Sequence, residues 1–199
     1  MKNQYSLEWL ISFSKFIYTF RDIERTMYTK INDRMENDSE HSYQFAMICW
    51  YIISTKWLIL SLDKVIKYAL VHDLVEIYAW DTDTFWSVEL KNSKEEREKN
   101  AFEKIKKEFT KFHEMINCIS EYEQKDNEEA KFVYAIDKII APINIYNSNW
   151  FQRKDKKITF EWLLDNKSKK IEISNDANEI WIELCLLLEK NKKELFVEC

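Results

Sequence analysis

The chain has 199 residues, 46% of them hydrophobic and 15% aromatic, enough for one domain with a substantial core. It holds no glycine and a single proline, which excludes a glycine-rich phosphate loop and with it the Rossmann and P-loop classes. A net charge of −5 argues against a nucleic-acid polymer as partner, while leaving room for a small phosphorylated molecule.

The N-terminus, Met1 to Glu8, lacks the pattern of a signal peptide. The longest apolar run, Ala46 to Leu62, is interrupted by Lys56 and falls short of the roughly 20 residues that span a bilayer. The expectation is a cytoplasmic protein with no membrane partner. Residues 6–22 read as a first helix with Ser6 at its N-cap, and Leu7, Leu10, Ile11, Phe13, Phe16, Ile17 and Phe20 form its core stripe. Arg21, Arg25 and Arg34 follow in a more polar stretch, and residues 32–40 read as a loop. Asn37, Asp38 and Ser39 offer caps for a second helix from Glu40 to Thr55, with His41 in its first turn.

A third helix is predicted from Ser61 to Ala79. Within its apolar run stand His72, Asp73 and Glu76. His72 and Glu76 are four apart and share a face; Asp73 lies about 100° around from His72. Burying three ionisable groups costs several kcal/mol unless they are paired or bind a metal. Imidazole with carboxylate suits Zn, Mn, Fe or Co. A turn follows, Trp80-Asp81-Thr82-Asp83-Thr84.

Residues 91–125 show helical spacing, with Ser93 and Glu96 set as a capping box and a solvated charged face. His113 has no companion at metal spacing and reads as a surface residue. Residues 126–147 form another helix, buried over most of its surface, with Asp137 among Ile136, Ile139 and Ile140 and with Pro142 expected to kink it. Thr159 is placed to cap a short helix, residues 166–177 read as a polar loop, and residues 177–190 form a final amphipathic helix that covers the bundle or a partner subunit. Cys49, Cys118 and Cys185 lie in or beside apolar runs and read as reduced core residues, with Cys199 incidental; no disulfide framework follows. The whole is a single all-α domain.

The order His41, His72-Asp73, Asp137 resembles the HD-domain phosphohydrolase superfamily. More narrowly, Glu36-Asn37-x-x-Glu40-His41-Ser42 followed by His72-Asp73-Leu74-Val75-Glu76-Ile77-Tyr78-Ala79-x-Asp81-Thr82 is similar to the branch of bacterial 5'-deoxynucleotidases and related hydrolases. The likeness covers about residues 20–165. It implies an HD-type helical bundle with a metal site in its core, and one divalent ion (Mn, Co, Mg, Zn or Fe) held by His41, His72, Asp73 and Asp137. It implies Glu76 as general acid or base, and Asp81 as a residue that holds the sugar or orders a water; a simple helix-terminal turn residue is the other reading of Asp81. Arg25 is the position matching the family's phosphate-binding Arg, with Thr26 where the family has Trp; Arg21 and Arg34 compete for the role. Trp80 stands where the family has Gly. The activity implied is hydrolysis of (deoxy)nucleoside 5'-monophosphates to nucleoside and phosphate by a homodimer. The alternatives are an HD phosphohydrolase acting on a triphosphate, cyclic nucleotide or alarmone, or a metal-binding module without catalysis.

Overall fold

A computed structural model of the chain describes residues 6–29, 34–80, 93–147 and 158–197. Asp81, Trp150 and Cys199, singled out in the sequence, lie outside the described residues. Helix α1 (Leu7–Thr19) starts after Ser6, whose side chain makes no cap bond, and ends in a 3-10 turn, Phe20–Asp22. Its expected core stripe is only partly buried: Phe16 and Phe20 are inside, while Leu7, Leu10 and Ile11 are exposed.

The all-α expectation includes no strands. The structure adds one antiparallel hairpin, β1 (Glu24–Thr29) with β2 (Arg34–Asn37), in which Tyr28 lies opposite Met35 and Glu24 opposite Asn37. Asp38 N–H then donates to Ile23 O at 3.0 Å, tying the hairpin's base to the next helix. Helix α2 (Asp38–Lys56) begins two residues before the predicted start. Asn37 is its cap: Asn37 Oδ1 accepts from Glu40 N–H at 3.0 Å, and Glu40 Oε2 accepts from Asn37 N–H at 3.2 Å. One face of α2 buries His41, Ser42, Phe45, Cys49 and Ile52; the other leaves Tyr43, Met47, Trp50 and Tyr51 exposed.

The predicted third helix divides. Helix α3 (Leu62–Val71) is capped by Ser61, residues 72–75 form a turn, and α4 (Glu76–Ala79) is a single turn. The stretch 91–125 divides too, into α5 (Lys94–Glu108) and α6 (His113–Gln124). Ser93 makes no cap bond, so the expected capping box does not form. His113 is exposed, as expected. Helix α7 (Glu128–Asn147) runs through Pro142 and buries Phe132, Val133, Ile136, Ile139 and Ile140. Thr159 caps α8 (Phe160–Ile171) by accepting from Trp162 N–H at 3.1 Å. This helix occupies much of the stretch read as a loop. Helices α9 (Asn175–Lys190) and α10 (Lys192–Leu195) follow.

Helices α2, α3, α7, α8 and α9 share one apolar core. A second cluster joins α1, the turn after α3, α5 and α6. Gln44 on α2 and Asn144 on α7 exchange two amide hydrogen bonds, of 2.8 and 3.0 Å, which fix these two helices in register. Cys49, Cys118 and Cys185 are free thiols. No helix among the described residues is long and apolar enough to cross a membrane.

Candidate metal centre

The turn that interrupts α3 has a chemical consequence. Its backbone bonds run from Leu74 N–H to Val71 O (3.1 Å) and from Glu76 N–H to Asp73 O (2.9 Å), the i→i+3 pattern of a 3-10 helix. In that pattern residues three apart eclipse one another. Asp73 and Glu76 therefore share a face, rather than the His72 and Glu76 expected of an unbroken α-helix. Carboxylate oxygens of Asp73, Glu76 and Asp38 lie within 4.8 Å of one another.

His72 is buried, and its Nδ1–H donates to Ala69 O at 2.9 Å. That bond fixes the ring and leaves the Nε2 lone pair exposed to the site. Nε2 lies 2.9 Å from Asp73 Oδ2 and 3.9 Å from Asp137 Oδ1, yet it makes no hydrogen bond although it is buried. A buried imidazole nitrogen beside two carboxylates is completed either by a proton, as an ion pair with Asp73, or by a metal cation. His41, from the first turn of α2, brings its Nε2 to 3.0 Å from Asp137 Oδ1. One ligand atom each of His41, His72 and Asp73 falls within 4.8 Å of the others. Two imidazole nitrogens and two carboxylates thus converge, a donor set that fits a divalent transition metal.

The surroundings set the charge of each group. Burial, reinforced by the Arg25 guanidinium, presses the His41 imidazolium down to about 4, so the ring is neutral and able to ligate at neutral pH. Burial opposes ionisation of Asp73 and Asp137 as well. It is outweighed by His72 and Arg25 for Asp73, and by Lys138 and His41 for Asp137; both are held below the ordinary carboxylate range. Burial also works against the His72 cation, but Asp73 and Asp137 more than compensate and raise its value. Behind the candidate ligands stands an aromatic wall. Phe45 stacks on His41 at 5.8 Å between centroids and meets His72 edge-on at 4.8 Å.

Arg25 enters from β1. Its Nη1 donates to Asp38 Oδ1 at 2.8 Å and to Asp73 Oδ2 at 2.7 Å. The hairpin, invisible in the sequence, is what brings this arginine to the carboxylates. Arg34, by contrast, pairs with Glu40 at the surface. Lys138 donates to Asp137 Oδ2 at 2.5 Å. Asp38, by sequence a possible cap, is fully buried in this cluster. Its spacing of three from His41 on α2 was the signal that could have found it.

Trp80, at the end of α4, adopts φ 63° and ψ 146°. That region is open to glycine and strained for every other residue. A chain without glycine has put a tryptophan there, 66% exposed, so that little packing offsets the strain. Trp80→Gly is expected to stabilise the fold by about 1 kcal/mol, the strain relieved less the extra freedom of the unfolded chain. Urea denaturation midpoints would show it, and a loss of stability would mean that Trp80 packs against something essential.

A family model described as HD domain matches residues 17–181. Proteins named 5'-deoxynucleotidase HDDC2 from Mus musculus and Homo sapiens are each 28% identical over 133 residues, 65% of this chain. The match spans 64% and 63% of those relatives, less than two thirds of their length. Among solved structures, one described as a predicted metal-dependent phosphohydrolase from Magnetospirillum magnetotacticum superposes with a TM-score of 0.78 at 24% identity, covering 96% of this chain and 98% of that one. A conserved hypothetical protein from Pyrococcus furiosus superposes with a TM-score of 0.61 at 22% identity, covering 90% and 98%. These two likenesses bear on the fold.

Proposed function

The chain belongs to the HD domain family, and on that premise we propose that it is a divalent-metal-dependent phosphomonoesterase that converts (deoxy)nucleoside 5'-monophosphates to nucleoside and phosphate. The observation that carries the chemistry is the buried His72 Nε2, which has no hydrogen bond and faces Asp73, Asp137 and His41. The names of the curated relatives support the choice of monophosphate.

Two histidines and two aspartates, His41, His72, Asp73 and Asp137, would hold the ion. When bound, a divalent cation supplies Lewis-acid polarisation of a phosphoryl oxygen and lowers the pKa of water. Arg25 commits Nη1 to Asp38 and Asp73, and its remaining donors suit the phosphoryl oxygens in a bidentate contact. Glu76, buried beside Asp73, is positioned to hold the proton that the leaving 5'-oxygen requires. Lys138 keeps Asp137 ionised and oriented.

The test is phosphate release from a panel of nucleoside mono-, di- and triphosphates, with metal-stripped protein refilled separately with Mn, Co, Mg or Zn. Release from monophosphates alone, only with metal, is expected. Arg25→Ala should raise KM for the monophosphate by about 10–100-fold, the worth of charge-assisted hydrogen bonds. No release from any nucleotide by protein shown to contain metal would overturn the proposal.

A further inference from the structure

Cations surround the carboxylate cluster, and most are committed. Arg25 is bonded to Asp38 and Asp73, Lys138 to Asp137, and Lys94 pairs with Glu98 at 3.3 Å. Lys167 differs. It lies on α8, four residues after Leu163 and four before Ile171, both buried in the core. That spacing puts Lys167 on the same side of the helix as these two, where it is half-buried. Helix α8 packs on α7, the helix that carries Asp137 and Lys138. Among the described residues, the charges that act most on the Lys167 ammonium are those of Lys138 and Asp137 on α7, Lys170 on α8 and Arg25 on β1. Among the described residues it has no hydrogen bond or ion pair.

An ammonium turned inward without a carboxylate partner destabilises a fold. Burial, then the repulsion of Lys138, press its value down to about 8. A structural lysine would be paired, and a surface lysine would not lie on the stripe of Leu163 and Ile171. The cluster's four carboxyl groups already exceed Arg25 and Lys138, and a divalent ion offsets that excess. A phosphomonoester dianion then brings negative charge that none of these pairs neutralises. Lys167, uncommitted among the described residues, suits it, since lysine serves as a point charge for phosphate.

We propose that Lys167 is a substrate-binding residue, whose ammonium contacts the phosphoryl oxygens of the anion held at the His41–His72–Asp73–Asp137 site. The assignment rests on the phosphomonoesterase reading and adds to it a ligand contributed from α8.

The experiment measures binding of inorganic phosphate by calorimetry to manganese-loaded full-length chain, as wild type, Lys167→Met, Lys167→Gln and Lys167→Arg. Metal stoichiometry and melting temperature are measured on the same samples. Lys167→Met keeps the alkyl stem, and Lys167→Gln guards against a packing artefact. Both are expected to weaken phosphate by about 10–100-fold at unchanged metal content, while Lys167→Arg stays within about threefold of wild type. Without phosphate, Lys167→Met should melt roughly 2–6 °C higher than wild type, because a desolvated charge is gone. The sign of that gain is set by a folded value below that of an unfolded lysine: it is full below about pH 8 and shrinks as pH rises toward the ordinary lysine range. A purely structural lysine would give the opposite change in melting temperature. Phosphate bound as tightly by Lys167→Met and Lys167→Gln as by wild type overturns the assignment, and a wild type that binds no phosphate overturns both readings. A wild type that binds phosphate through Lys167 but hydrolyses no nucleotide supports the assignment and defeats only the nucleotidase reading.

Discussion

Manganese at a hundredfold excess over its dissociation constant is expected to raise the melting temperature of the metal-stripped chain by roughly 5–10 °C, and to leave His72→Ala and Asp137→Ala unmoved. A ligand at that excess stabilises by about 2.7 kcal/mol, and at this chain length each kcal/mol moves the melting point by about 2–4 °C. The expectation rests on geometry. His72 Nδ1 is anchored to the backbone, Nε2 is buried without a hydrogen bond, and Asp73 and Asp137 stand 2.9 and 3.9 Å from it. Removing either residue would delete a proposed ligand outright, so affinity should fall by more than the roughly 10–100-fold typical of changes to groups that merely support a ligand. The two variants also separate the site from the fold. Asp137→Ala leaves the Lys138 ammonium without its partner and should itself melt lower, whereas His72→Ala removes no ion-pair partner from Lys138. A variant that still gained the full metal-induced shift would show that the ion sits elsewhere, and the group Asp38, Asp73 and Glu76 would be the next place to look.

The ligand candidates were legible because ionisable residues inside apolar runs are conspicuous. Asp137 among isoleucines and His72-Asp73 among leucines and valines are anomalies that periodicity exposes. The interruption after Val71 was not legible, since the apolar pattern continues through it unchanged while the hydrogen bonding tightens. The hairpin was missed because residues 24–29 show no clean alternation, and only pairing with 34–37 makes them a strand. Arg25 could be named from the likeness to a family, but what aims it at Asp38 and Asp73 is tertiary. Asp38 was hidden in Asn37-Asp38-Ser39, three residues that all make good caps; Asn37 took that role and freed Asp38 for the site. Lys167 was hidden by its neighbours. A stretch such as Asp165-Asn166-Lys167-Ser168-Lys169-Lys170 reads as solvated until Leu163 and Ile171 are set on the same helix face. The position of Trp80 was legible only as a departure from the Gly that the family likeness implies, and the positive φ found there is one that glycine adopts without strain.

Glu76→Gln is expected to lower kcat by about 10²–10⁴-fold, the usual worth of a positioned acid or base, with metal content unchanged. The substitution is nearly isosteric, so it keeps the packing of a side chain that is only 4% exposed. What it removes is the capacity to carry a proton. Glu76 stands three residues after Asp73 in a stretch of 3-10 bonding, which sets its carboxyl group beside Asp73 and Asp38. A role limited to charge balance makes a different prediction. In that case Gln would change metal affinity first and turnover only as a consequence, and excess metal would restore the rate. Saturating metal therefore separates the two roles. A Glu76→Gln enzyme that is full of metal and still slow identifies Glu76 as the proton carrier. One that recovers the native rate assigns the proton to another group and leaves Glu76 as part of the cluster's electrostatics. Glu76→Asp tests the same point by distance. It keeps a titratable carboxyl but withdraws it by one methylene, so a rate between those of wild type and Glu76→Gln is expected, because proton transfer depends on reach as well as on acidity.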